Sequence, residues 1–213
     1  MEHRAADASL PCIRIVDDDA AVLSAFARLL RAAGFRVVTY ASAQAFIQER
    51  PQDACGCLVL DLAMPKTSGL ELQQQLAAHG YSHPVVFVTG HGDVDSSVRA
   101  MKAGALDFLT KPPEPEALIA AVRGALERDL AARAAREAQT EVSVRIATLT
   151  PREREVLIHL VEGRLNKQIA ADLGASEKTI KVHRARVLQK MAAQSIASLV
   201  RMTELVGLRA TAK

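Results

Sequence analysis

Short, mainly apolar runs alternate with longer amphipathic stretches over roughly the first 120 residues of the chain. The runs at Cys12–Val16, Phe35–Tyr40, Gly56–Leu60, Val85–Val88 and Leu106–Leu109 predict five strands. Between them, Val22, Phe26, Leu29 and Leu30 predict a helix stopped by Gly34, and Ala43–Gln48 a short one before Pro51. Leu70, Leu72 and Leu76 mark a third helix ending near Gly80, and Val94–Ala103 a fourth closed by Gly104. The run Gly56–Leu60 is apolar throughout, the kind of strand buried on both faces. The alternation of strands with helices therefore predicts an α/β fold, a doubly wound five-stranded parallel sheet.

After Pro112-Pro113 the period changes. Leu118, Ile119, Val122 and Leu126 give a helix starting near Glu114 an apolar stripe, and Ala131–Gln139 then continues it with Ala, Arg and Glu. That continuation reads as an exposed linker, with too few apolar heptad positions for a coiled coil. Beyond it, four helices are predicted at Pro151–Glu162, Asn166–Leu173, Ser176–Met191 and Ser195–Leu208, with Gly163 and Gly174 in the first two gaps. Thr150, Pro151 and Glu153 supply a hydroxyl cap, a proline at the first helical position and a capping-box acid. The short gap at Gly174 matches a helix-turn-helix. The expected layout is residues 11–125, a helical linker at 126–146, and a small all-α four-helix domain at 147–209.

Charge separates the same two parts. Residues 1–147 carry 15 Lys and Arg against 18 Asp and Glu, whereas residues 148–213 carry 12 against 6. A basic module on an acidic one is the pattern expected when only the second touches nucleic acid. No apolar run is long enough to span a bilayer, and residues 1–9 lack the pattern of a secretory signal. Cys12, Cys55 and Cys57 read as buried thiols of a reducing cytoplasm.

Candidate chemistry collects at the strand ends. The first strand finishes at Asp17-Asp18-Asp19, the third at Asp61, the fourth at Thr89-Gly90, and the fifth leads to Lys111. In a parallel sheet these ends share one rim. Three crowded carboxylates raise one another's pKa unless a cation intervenes, and such oxygen ligands suit Mg²⁺. Thr89 and Lys111 would complete a site for a phosphoryl group, with Asp61 as the carboxylate that attacks phosphorus. Singly, an Asp after a strand reads as well as a helix cap or turn residue, and Lys111 as a loop charge; the combination decides.

Val16-Asp17-Asp18-Asp19, Asp61-Leu62-Ala63-Met64-Pro65 with Gly69, Thr89-Gly90 and Lys111-Pro112 closely resemble receiver domains of two-component response regulators, over Ile13 to about Val122. The resemblance implies a flavodoxin-like receiver whose Asp61 is phosphorylated by a sensor histidine kinase. It implies direct Mg²⁺ ligation by Asp18, Asp61 and the backbone carbonyl of Ala63, with Asp17 acting through water. Thr89 and Lys111 would contact phosphoryl oxygens. Phe108 takes the place of the family's switching aromatic, where Tyr is commoner, so a hydroxyl contact is lost. Lys66 and Pro113 are smaller departures.

In the helix from Ser176, Ile180, Val187 and Met191 fall on one face, and Lys178, Lys181, Val182, Ala185 and Gln189 on another. The second face offers cations for phosphates and guanine and small apolar groups for thymine methyls. A solvated basic face of a helical bundle is the plain alternative. The segment from about Ala147 to Leu208, however, resembles the DNA-binding domain of LuxR-type regulators, and the whole chain the FixJ/NarL class, leaning towards FixJ-like members. That resemblance implies that the third helix reads the major groove of double-stranded promoter DNA. Asn166, Lys167 and Thr179 would meet phosphates, and the fourth helix would pack between two DNA-bound subunits. It implies a homodimer on phosphorylation and leaves RNA polymerase as a further partner.

Two other readings compete. An aspartyl-phosphate hydrolase would need a second acid two residues after its nucleophile, and that position is Ala63; the chain is therefore expected not to be an enzyme. A pseudo-receiver answering a ligand or partner would lack part of the set Asp17, Asp18, Asp61, Thr89 and Lys111, which is complete here.

Overall fold

The computed structural model describes residues 11–49, 55–90, 98, 100, 102 and 104–208. The opening residues, the stretch from His91 and most of the expected helix at Val94–Ala103 lie outside them, although Val98, Ala100 and Lys102 are helical. The chain divides into two compact units, one up to Ala132 and one from Arg133.

In the first unit, strands β1 (Cys12–Val16), β2 (Arg36–Tyr40), β3 (Gly56–Leu60), β4 (Val85–Thr89) and β5 (Asp107–Thr110) form one sheet. Its order is β2-β1-β3-β4-β5, and every pairing is parallel. Helices α1 (Ala20–Ala32), α2 (Ala43–Glu49) and α3 (Gly69–Ala78) connect the strands. β1, β3 and β4 are buried at every position, Arg14 of β1 included: one face packs Ile13, Ile15, Val59 and Val86 against Phe26 and Leu30 of α1. The opposite face packs Val16, Leu58, Leu60 and Phe87 against Phe46 and Leu72. This is the expected doubly wound sheet, and its order reverses between β1 and β3, which places a crevice beyond their carboxyl ends.

Helix α4 runs without a break from Pro115 to Ala147. Leu118, Ala121, Val122, Ala125 and Leu126 belong to the first core, whereas Val142 is buried in the second. Between them the helix is largely exposed, as the Ala- and Arg-rich composition predicts, with one exception: Asp129 is fully buried.

The second unit continues with α5 (Pro151–Val161), α6 (Asn166–Asp172), α7 (Glu177–Met191) and α8 (Ile196–Leu205). Val156, Leu157, Leu160, Ile169, Ile180, Val187, Met191 and Leu199 form its core. The capping box predicted at Thr150 and Glu153 is present. Gly174 turns the chain between α6 and α7 with φ +60°, a conformation open to glycine without steric cost. Cys12 and Cys57 are buried free thiols, but Cys55 is only half-buried. No helix among the described residues is long and apolar enough to cross a membrane.

Candidate functional site

The crevice beyond β1 and β3 holds three carboxylates. Ligand oxygens of Asp17, Asp18 and Asp61 lie within 4.8 Å of one another. Parallel register carries Asp61 there: β3 pairs β1 up to Leu60 beside Val16, and the Asp61 amide then donates to the Val16 carbonyl at 2.9 Å. Asp17 and Asp61 are buried and Asp18 is exposed. Asp19 is not part of the cluster. Its carboxylate caps α1 by accepting from the amides of Ala21 at 2.7 Å and Val22 at 3.3 Å.

Lys111 reaches this cluster from the end of β5. Its amide donates to the Thr89 carbonyl at 2.8 Å, extending the β4–β5 ladder. Its Nζ lies 2.6 Å from Asp17 Oδ2 and 3.2 Å from Asp61 Oδ1. Asp17 Oδ1 accepts from the Asp19 amide at 2.9 Å, so both Asp17 oxygens are engaged. The Ala63 amide donates to the Asp61 carboxylate.

Burial raises the Asp61 pKa above the ordinary carboxylate value; Lys111 opposes that rise and Asp17 adds to it. Burial works against the Lys111 charge, but Asp17 and Asp61 outweigh it and hold the ammonium above its usual value. One ammonium cannot neutralise three ionised carboxylates, so the donor set fits a hard divalent cation. Thr89 is fully buried at the end of β4. Phe108 is half-buried against the core that contains Leu60 and Phe87.

Gly69, after the turn that follows Asp61, packs directly on it. A Cβ there would stand 2.2 Å from the Asp61 carbonyl oxygen. Within the same turn Lys66 adopts φ +70°, a region costly for a non-glycine residue.

In the second unit, α7 divides as its pattern predicts. Ile180, Val187 and Met191 are fully buried, while Lys178, Lys181, Val182, Ala185 and Gln189 are exposed on the other side. Val182 leaves 45% of its surface open. Lys167 and Thr179 are exposed too; the Thr179 hydroxyl lies 2.9 Å from that of Ser176, the α7 cap. Asn166 is half-buried and its Oδ1 accepts from Arg184 Nη1 at 3.5 Å, a link between α6 and α7 that sequence spacing does not reveal. Nor was the tie between Lys190 Nζ and Glu153 Oε2, at 2.6 Å, legible there.

Comparison with known proteins accounts for both units. Residues 13–123 match the family described as "Response regulator receiver domain", and residues 147–203 match "Bacterial regulatory proteins, luxR family". The chain is 48% identical to the transcriptional regulatory protein FixJ of Azorhizobium caulinodans, over 93% of this chain and 94% of that one. It is 45% identical to the response regulator protein TmoT of Ectopseudomonas mendocina, over 90% and 87%. Among solved structures it is similar to the response regulator StyR, with a TM-score of 0.82 and 46% identity over 92% of this chain and 98% of that one. Full-length FixJ from B. japonicum matches with a TM-score of 0.58 and 40% identity, over 93% and 98%.

Proposed function

The chain belongs to the response regulators that join a receiver domain to a LuxR-type DNA-binding domain, and we propose that phosphorylation of Asp61 by a sensor histidine kinase controls it. It is a transcription regulator, FixJ-like in both parts. The observation that carries the phosphorylation reading is the placement of Asp61 beside two further carboxylates and within 3.2 Å of Lys111, at the rim where α/β sheets bind ligands.

In this reading an Asp61 carboxylate oxygen forms a bond to the phosphorus of the kinase phosphohistidine. The P–N bond breaks, and the imidazole leaves with a proton. Lys111 offsets phosphoryl charge and Thr89 donates to a phosphoryl oxygen. Asp18, Asp61 and the Ala63 carbonyl would hold Mg²⁺, with Asp17 contributing through water, and the ion would supply charge neutralisation at the phosphoryl oxygens. The engagement of both Asp17 oxygens by Lys111 and the Asp19 amide supports this division of labour, since the exposed Asp18 would be the carboxylate left to face the ion. Ala63 offers no second acid for rapid hydrolysis, so the phosphoryl group serves as a signal and not as a turnover intermediate.

The signal then passes to dimerisation. Thr89 drawn to the phosphoryl group frees space that Phe108 fills, which reshapes the receiver surface that pairs two copies. Two DNA-binding modules joined in this way gain from a high effective concentration on a two-part promoter site. Lys178, Lys181, Val182 and Ala185 meet base edges or phosphates, with Asn166, Lys167 and Thr179 on the backbone. The working boundaries are a receiver at 11–125, a linker at 126–146 and the DNA-binding domain at 147–209. The setting is the cytoplasm, where the promoter and RNA polymerase are found.

The test is intact mass before and after treatment with a small phosphodonor and Mg²⁺, run beside size exclusion. The wild type should gain one phosphoryl group and dimerise, and Asp61→Asn should do neither. A phosphorylated Asp61→Asn chain would overturn the assignment.

A further inference from the structure

Asp129 is fully buried on α4, in a stretch that composition assigns to an exposed linker. Its Oδ2 accepts from the Gly56 amide at 2.9 Å, and its Oδ1 lies 3.5 Å from His83 Nδ1. His83 is itself buried and packs edge-on against Tyr81, ring centroids 4.7 Å apart. Burial, and after it the Asp129 carboxylate, pushes the nearby Cys57 thiol up to about 12, so that sulfur stays protonated. A buried carboxylate is retained only where hydrogen bonds compensate its lost hydration. Here that compensation includes the first amide of the central strand.

The place of that amide matters. Gly56 opens β3, and β3 ends at Leu60, one residue before Asp61. Gly56 is fixed against β1: a Cβ on it would stand 2.2 Å from the Cys12 carbonyl oxygen. β3 is hydrogen-bonded to β1 on one side and β4 on the other. It thus forms a stiff line of ~16 Å from the candidate phosphoacceptor to the Asp129 carboxylate. Along α4, Asp129 is also the last buried residue before the helix becomes largely exposed on its way to Val142.

We infer that Asp129 is a positioning residue: it anchors α4 to the near end of β3 and so conveys the state of the Asp61 site to the helix leading into the DNA-binding unit. This rests on Asp61 being the phosphoacceptor. Movement of β3 at Asp61 reaches Gly56 because the strand is held in register on both sides. At Gly56 the Asp129 hydrogen bond ties β3 backbone directly to an α4 side chain.

The test uses the full chain with beryllofluoride and Mg²⁺ as the phosphoryl probe, followed by ¹⁹F NMR for binding and by amide hydrogen exchange. Without the probe, Asp129→Ala should speed exchange of the Gly56 amide about tenfold or more, as loss of a hydrogen bond to a charged acceptor requires. Asp129→Asn keeps an acceptor oxygen and should restore most of that protection. With the probe, wild type should change exchange in α4 near 126–132, and Asp129→Ala should bind beryllofluoride yet lose that response. Unchanged Gly56 exchange in Asp129→Ala, or an α4 response equal to wild type, would overturn the anchor. Should Asp129→Ala fail to fold, Asp129→Asn carries the same comparison, because a mere charge effect would remove the Gly56 protection that a positioning role preserves. No beryllofluoride signal on wild type would bring down the reading of Asp61, while the Gly56 comparison would still judge the anchor.

Discussion

Lys111 stands closer to Asp17 than to Asp61, its Nζ 2.6 Å from the first carboxylate and 3.2 Å from the second. The acid that is not the proposed phosphoacceptor therefore holds the lysine, and Asp61 keeps a looser partner. A lysine placed in this way neutralises the cluster at rest and still has a short path to a group added on Asp61.

Removing that lysine should destabilise the receiver. Lys111→Met leaves Asp17 and Asp61 buried without their ammonium, which should cost about 1–3 kcal/mol. Urea denaturation at neutral pH measures the loss. Millimolar Mg²⁺ should return more stability to the variant than to the wild type; equal responses would contradict the charge argument.

Gly69 makes a second demand on the same turn. Gly69→Ala must displace the Asp61 backbone, because the new Cβ would stand 2.2 Å from its carbonyl oxygen and 3.0 Å from Phe87 Cε1. Misplacing the acceptor by a fraction of an ångström to one ångström should slow phosphodonor labelling about 10- to 100-fold. Gly124→Ala is the control, since nothing lies within 4 Å of a Cβ there; it should label normally and stabilise α4 by about 1 kcal/mol.

These acids were open to reading because each follows an apolar run, and a parallel sheet brings such ends to one rim. Asp129 was not. A polar residue in an Ala- and Arg-rich stretch looks like surface, although Leu118, Val122, Ala125 and Asp129 follow one helical stripe and continuing the period would have put it inside. The closer approach of Lys111 to Asp17 was hidden for another reason: it depends on the reach of a four-carbon side chain past the ends of two intervening strands, which no spacing records. In the second unit, by contrast, the α7 pattern placed its buried and exposed faces correctly, since one helix needs only its own period.

Acid should weaken the DNA-binding unit through Glu153. Lys190 at 2.6 Å and the Thr150 amide at 2.9 Å hold its carboxyl down at about 2. A folded pKa below the unfolded one stabilises the fold above the ordinary value of 4.5, and that contribution is lost as pH falls towards 2. Thermal melts between pH 6 and pH 2 (a range of about four units) should fall less steeply for Glu153→Gln, with the curves converging at the acid end.

DNA binding should depend on Lys181 in a way that salt discloses. If it meets a phosphate, Lys181→Ala should reduce the slope of log affinity against log salt by about 0.9. If it reads a base, the slope should hold and discrimination at one position should drop by about 1–3 kcal/mol. A variant carrying both Lys178→Ala and Lys181→Ala that binds operator fragments normally would show that α7 is not the reading helix.

The unbroken α4 has a practical meaning for exchanging modules between related regulators. A junction at Leu126 would leave the donor half without Asp129, and one at Ala147 would take Val142 and Ile146 away from the four-helix core they pack with. A splice within residues 130–141 severs a stretch of helix with no buried residue. Hybrids joined there would inherit two complete interiors, each with its own share of the common helix.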